Sequence, residues 1–312
     1  MTSKLAIAMI GPTASGKSSF ALDLAEKIEG ELVCMDSATV YQGFDIGANK
    51  PSREDRARVP HHLLDILSPE DGFSAGHFVQ KAEETVLDIQ KRGKVPLIVG
   101  GTYFYLRALQ HGMYPQTIIS AETIEEIERE FFEEEGTNTA MHEALAKKDA
   151  QAAKNIHPND RYRLVRALAV IRTSGQLPSE QKPQHQSKEQ AERVWMKYAM
   201  AVSRHVLNAQ IVRRTEEMIQ NGLVEETKSL KEKFPKARAL GSIGYAESCA
   251  FLEKKLTEKQ LRNEIIEKTR QLAKRQITWL RSDTEVRYID DRDQERVLLE
   301  ISNLRFALGE TV

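Results

Sequence analysis

The chain has 312 residues, 40% of them hydrophobic, with 45 Lys and Arg against 46 Asp and Glu for a formal net charge of -1. The mean hydropathy of -0.48, with no apolar run near the roughly 20 residues that span a bilayer, argues against a membrane protein. A neutral balance gives no bulk attraction to nucleic acid, so such binding must come from local clusters; two cysteines without CxxC spacing, Cys34 and Cys249, argue against disulfides and structural zinc and fit a reducing cytoplasm.

In chain order, Leu5 to Ile10 is an apolar run that Gly11 and Pro12 end, and a helical pattern follows from Lys17 to Ile28. Apolar runs at 31–35, 62–67 and 95–99 alternate with helical stretches, notably 74–92. That is the rhythm of a parallel sheet covered by helices, an α/β class. From 117 to 193 the strand signal stops: helix formers, the dense glutamates of 122–135 and the polar exit SEQKPQHQSKEQ predict an all-helical insertion. Strand character returns at Val194 to Val202, followed by helical patterns at 204–221, 223–234 and 257–281 and a short strand near 285–289. The expected core is therefore 1–116 with 194–312, interrupted by the insertion 117–193.

Gly11-Pro12-Thr13-Ala14-Ser15-Gly16-Lys17-Ser18 satisfies G-x-x-x-x-G-K-[ST] between a predicted strand and a predicted helix. In such a loop the backbone N–H groups turn toward an anion, Lys17 adds a point charge, the helix start adds its dipole, and Ser18 can hold Mg²⁺. The bland alternative is a tight turn with a capping serine. The loop points to a P-loop NTPase-like core and a phosphate ester, without saying which ester.

Further motifs stand in order. Asp36-Ser37-Ala38-Thr39-Val40-Tyr41-Gln42-Gly43-Phe44-Asp45-Ile46-Gly47-Ala48-Asn49-Lys50-Pro51 follows the second strand, and His61-His62-Leu63-Leu64-Asp65 the next loop. Gly100-Gly101-Thr102, HPND at 157–160, GSIGY at 241–245 and TRQLAKRQITWLR at 269–281 complete the set. With these motifs the chain closely resembles the bacterial tRNA dimethylallyltransferases, from about residue 4 to residue 282.

The resemblance implies transfer of a dimethylallyl group from dimethylallyl diphosphate to the N6 amine of the adenosine immediately 3′ of the anticodon, in tRNAs reading codons that begin with U. It also implies Mg²⁺ and a monomer. The exocyclic amine is a poor nucleophile, so a carboxylate must accept its proton, and Asp36 is the candidate. An allylic donor ionises toward a cation and diphosphate, so Lys17, the loop N–H groups, Mg²⁺, Thr102 and Arg204 would stabilise the leaving group. Asp36, Ser37, Ala38, Thr39 and Thr102 would meet the target base. From the insertion, Tyr162, Arg163, Leu164, Val165 and Arg166 would clamp the anticodon stem-loop, Arg163 and Arg166 on its backbone.

On a helix, Arg270, Lys274 and Arg281 share one face, which with Arg275 offers a basic stripe to RNA phosphates or, blandly, a solvated surface. The adjacent His61 and His62 point to opposite faces of a strand and read as structural, and Trp279 reads as core packing. The chain departs from the family's usual residues at Thr39 (glutamine), Gln42 (arginine), Ala48-Asn49 (Thr-Ala), Tyr103-Phe104 (Gly-Leu) and Gln210 (arginine). Threonine cannot make a bidentate contact to a base, which bears on anticodon preference. Three rivals stand beside this reading: prenylation of free adenine nucleotides, a small-molecule kinase, and a catalytically silent tRNA-binding protein.

Overall fold

The structure, a computed structural model, describes residues 4–115, 117–132 and 138–310; glutamates 133–135 of the acidic run lie outside them. In chain order the elements are β1 (Leu5–Ile10), α1 (Lys17–Lys27), β2 (Glu31–Met35), α2 (Arg53–Arg58), β3 (His61–His62), α3 (Ala75–Lys91), β4 (Pro96–Gly100) and α4 (Tyr103–His111). Then come α5 (Ala121–Phe132), α6 (Asn138–Lys148), α7 (Ala150–Asn155), α8 (Arg161–Ser174) and α9 (Lys188–Glu192). The chain continues with β5 (Val194–Met200), α10 (Arg204–Gln220), α11 (Leu223–Lys233), α12 (Tyr245–Leu252), α13 (Glu258–Arg281), β6 (Arg287–Ile289) and α14 (Gln294–Ala307).

The six strands form one parallel sheet in the order β3-β2-β4-β1-β5-β6. Every residue of β1 is buried, as expected of a central parallel strand covered on both faces, which explains its unbroken apolar sequence. Because the strands run parallel, the loops after β1, β2 and β4 leave from the same edge, where open α/β sheets bind ligands. The strand expected over 62–67 shrinks to His61–His62. Leu63 and Asp65 take left-handed φ of 61° and 56°, which no strand accommodates. Both histidines are structural: His61 Nδ1 lies 2.8 Å from the Val59 carbonyl and His62 Nε2 2.7 Å from Glu31.

The chain divides into two compact units, one comprising the chain up to Gln110 and from Gln186, the other His111–His185. The second boundary thus falls before α9 rather than at 193. The end of the polar exit and the residues after it make buried polar contacts in the first unit. Arg193 pairs with Glu83 at 2.7 and 2.9 Å, and Gln190 Nε2 donates to the Leu109 carbonyl at 2.9 Å. In this unit one apolar cluster lies between sheet and helices, including Leu5, Ile7, Leu24, Leu97 and Tyr198, and a second gathers Phe44, Leu223, Leu230, Tyr245, Leu261 and Ile265.

The second unit is built from α5 to α8 around Ile127, Met141, Leu145, Leu164 and Leu168. Its ends meet at the Met113–Gln184 bridge, with N–H···O distances of 3.0 and 2.8 Å. Asp160 caps α8 by accepting from the Arg163 N–H at 3.1 Å. On this helix Leu164 and Val165 are buried in the core, so their side chains are not RNA contacts. The apolar periodicity that packs the helix puts them inside.

Candidate active site

The loop after β1 turns through left-handed Ala14 and Gly16 into α1. Lys17 opens the helix, and its Nζ donates to the Pro12 carbonyl at 3.2 Å. Two residues from distant helices hold the loop. Gln276 of α13 accepts from the Thr13 N–H at 2.8 Å through Oε1 and donates to the Gly101 carbonyl at 3.0 Å through Nε2. One amide thereby ties the loop after β1 to the loop after β4. A Cβ on Gly101 would lie 2.2 Å from Gln276 Nε2, so a side chain there would displace the amide from this contact. From α10, the Arg214 guanidinium donates to Thr13 Oγ1.

Burial pushes the Lys17 ammonium down to about 8, with Arg214 acting in the same direction and Asp36 opposing. Arg214 is also lowered, first by burial, with Asp36 again opposing. Two desolvated cations near one carboxylate leave an excess of positive charge that an anionic ligand would relieve. Asp36 follows β2, and its Oδ1 accepts from the Ala38 N–H at 2.8 Å, which orients the carboxyl group.

Thr13, Lys17, Ser18, Asp36, Thr39 and Arg214 line one cavity of about 590 Å³, with an apolar share from residues such as Leu22, Val99, Ile211 and Leu272. Ser37, Ala38, Gly100 and Gly101 line it too. Cys34 also faces it, its thiol pushed up to about 12 by burial and then by Asp36; it is an inert wall rather than a nucleophile. Thr39 is only 7% exposed, and its Oγ1 has no hydrogen-bond partner among the described residues. A buried hydroxyl without a partner costs free energy until a hydrogen bond satisfies it. Ser15 Oγ, inside the phosphate loop, is likewise buried without a partner among the described residues.

No group of three His, Cys, Asp or Glu residues that could hold a metal occurs among the described residues. Ser18 and Asp36 nevertheless present hard oxygen donors to one cavity. That sparse set suits Mg²⁺, which takes few protein ligands and completes its shell with phosphate oxygens and water.

Not every residue named from the sequence reaches this cavity. Thr102, next after Gly101, is not among its lining residues. Arg204 opens α10 on the exposed surface and lines a separate groove of about 1190 Å³ with Arg270, Lys274, Arg281, Asn208 and Tyr288. The arginine beside the phosphate loop is Arg214, ten positions along the same helix. The buried stripe of α10, Leu207, Ile211, Thr215 and Met218, carries the signal that could have found it: Arg214 falls three residues after Ile211, at the edge of that stripe. Arg275 is exposed but outside the groove. Trp279 is 41% exposed, its ring centroid 6.2 Å from that of Tyr103, so it flanks the surface instead of filling the core. In the second unit Tyr162 is 81% exposed and Arg163 is exposed, while Arg166 donates to the Thr117 carbonyl at 3.1 Å.

The sequence model described as IPP transferase matches residues 39–283. The chain belongs to this family. The match begins after the phosphate loop and Asp36, so the geometry of those residues is independent of it. A tRNA dimethylallyltransferase of Geobacter metallireducens is 42% identical over 285 residues, 90% of each chain. One of Koribacter versatilis is 39% identical over 290 residues, 93% of this chain and 94% of the relative. Among solved structures, the full-length tRNA isopentenylpyrophosphate transferase of Bacillus halodurans aligns with TM-score 0.69 and 32% identity over 99% of this chain and 97% of its own. A eukaryotic dimethylallyltransferase acting on tRNA gives TM-score 0.78 at 25% identity, over 99% of this chain and 81% of that one.

Proposed function

We propose that this chain is a transferase that moves a dimethylallyl group from dimethylallyl diphosphate to the N6 amine of an adenosine in tRNA. The acceptor is the adenosine immediately 3′ of the anticodon in tRNAs reading codons that begin with U, and the enzyme works in the cytoplasm as a monomer. The observation that carries the reading is the meeting of Lys17, Arg214 and Asp36 at one cavity in a chain of this family.

The diphosphate lies on the phosphate loop against Lys17 and Arg214. Breaking the allylic C–O bond moves negative charge onto the leaving diphosphate, where two desolvated cations stabilise it more than they stabilise the intact donor. The apolar part of the cavity receives the hydrocarbon chain and excludes water that would capture the allylic cation. The N6 nitrogen forms the new C–N bond, and Asp36 accepts the proton that N6 loses. Mg²⁺, held by Ser18 and the diphosphate oxygens, would neutralise charge on the leaving group.

The target base must leave its stack to enter the cavity. There Thr39 Oγ1 offers a single hydrogen bond, as donor or acceptor, so base discrimination at this position is weaker than an amide would give. Arg270, Lys274 and Arg281 along the groove, and exposed Tyr162 and Arg163 of the second unit, are the RNA-backbone contacts.

Labelled dimethylallyl diphosphate, Mg²⁺ and unmodified tRNA, AMP or ATP, incubated with wild type and Asp36→Asn, test the reading. Label in tRNA alone, reduced at least about 100-fold in the variant, is expected. Label in a mononucleotide would move the acceptor class, and tRNA binding without label would leave a silent binder.

A further inference from the structure

Glu226 on α11 does not line the cavity, yet its carboxylate gathers the loop that does. Its oxygens accept from the N–H groups of Asp45 at 3.2 Å, Ile46 at 2.9 and 3.0 Å and Gly47 at 3.2 Å. The Tyr245 hydroxyl donates to the same carboxylate at 2.6 Å and accepts from the Ala48 N–H at 3.2 Å. Four consecutive backbone donors are thus held by one carboxylate and one phenol.

What this clasp holds in place is specific. Gly47, Ala48, Asn49, Lys50 and Pro51 line the cavity. Lys50, its side chain 2% exposed, donates to the Tyr41 carbonyl at 2.7 Å and pairs with Asp65. The Asp65 N–H donates to the Thr39 carbonyl at 3.2 Å. The path therefore runs from Glu226 through the loop and Lys50 to Thr39, a cavity-lining residue whose buried hydroxyl has no partner among the described residues. The phosphate loop is held by a different pair, Gln276 and Arg214.

We propose that Glu226 is a positioning residue for the acceptor base: with Tyr245 it sets the wall formed by residues 47–51 and the placement of Thr39, while the donor half of the cavity is set separately. This rests on the prenyl-transfer reading for its substrates but not for its geometry. Glu226→Gln places an N–H₂ donor among four donors that need an acceptor, so the loop loosens. Tyr245→Phe keeps the ring that packs on Gly47 and removes only the hydroxyl.

Steady-state kinetics with each substrate varied in turn, for wild type and both variants, give the decisive split. Glu226→Gln is expected to raise KM for tRNA at least about fivefold and leave KM for dimethylallyl diphosphate within about twofold; Tyr245→Phe follows the same pattern more weakly and covers the case that the first variant folds poorly. Gln276→Ala, on the donor side, gives the opposite split. Equal changes in both KM values, or a change in the donor KM alone, overturn the proposal. Fluorescence anisotropy with an unmodified anticodon stem-loop separates this from the reading beneath it. If wild type transfers no prenyl group, that reading fails, yet the clasp still requires weaker stem-loop binding and unchanged inorganic diphosphate binding in Glu226→Gln; unchanged stem-loop binding sinks it.

Discussion

Lys17 and Arg214 share the phosphate-loop side of a cavity in which Asp36 opposes the lowering of both cations. A bound diphosphate favours the charged ammonium, so binding raises the Lys17 pKa from about 8. Affinity for inorganic diphosphate should therefore be steady below about pH 8 and fall by up to about tenfold per unit above it, until the raised bound value is reached. Calorimetry from pH 7 to 10 checks this; Lys17→Arg, which stays charged, should flatten the profile, and a flat wild-type profile contradicts the argument. Arg204 and Arg214 of α10 separate in the same spirit. Arg214→Ala removes a cation from the leaving group and should lower kcat/KM by about 10²–10³. Arg204→Ala, in the outer groove, should change KM for tRNA a few-fold and leave diphosphate binding intact. Matching losses in the two variants would return Arg204 to the site.

At the scale of elements, α13 serves three directions. Gln276 turns inward to two loops, Arg270, Lys274 and Arg281 face the groove, and Trp279 lies against Tyr103 of α4. Periodicity locates the basic face but cannot say what covers the rest, which is why Trp279 reads as core until α4 is placed. The α12 helix meets the loop after β2 with similar closeness: a Cβ on Gly47 would lie 2.4 Å from the Tyr245 ring. Gly47→Ala should therefore destabilise by about 1–3 kcal/mol through overpacking, read as a lowered thermal midpoint. In a Tyr245→Leu background the penalty should shrink; an undiminished penalty there assigns the effect to the backbone.

For the whole molecule, a formal charge of -1 leaves tRNA affinity to local cations, and the groove lined by Arg204, Arg270, Lys274 and Arg281 concentrates four of them. Replacing Arg270 and Lys274 by Ala should lower the slope of log K against log salt by about 1 for each RNA phosphate that is no longer neutralised. Anisotropy at several salt concentrations measures the slope, and an unchanged slope makes the groove a solvated surface.

The sequence by itself determined the sheet-and-helix rhythm, the phosphate loop between β1 and α1, Asp36 just past β2, and the helical character of the insertion. Each is a pattern of near neighbours, set by apolar spacing or by a turn whose residues are consecutive. Only the tertiary structure decided that Arg214 donates to the loop while Arg204 lines the outer groove, that α9 and Arg193 pack back into the first unit, and that Gln276 and Glu226 reach loops some 180 to 260 residues away in sequence. Those outcomes depend on which helix face is covered and which chain ends meet across the sheet. Such contacts form when the elements pack together, and spacing along the chain does not encode them.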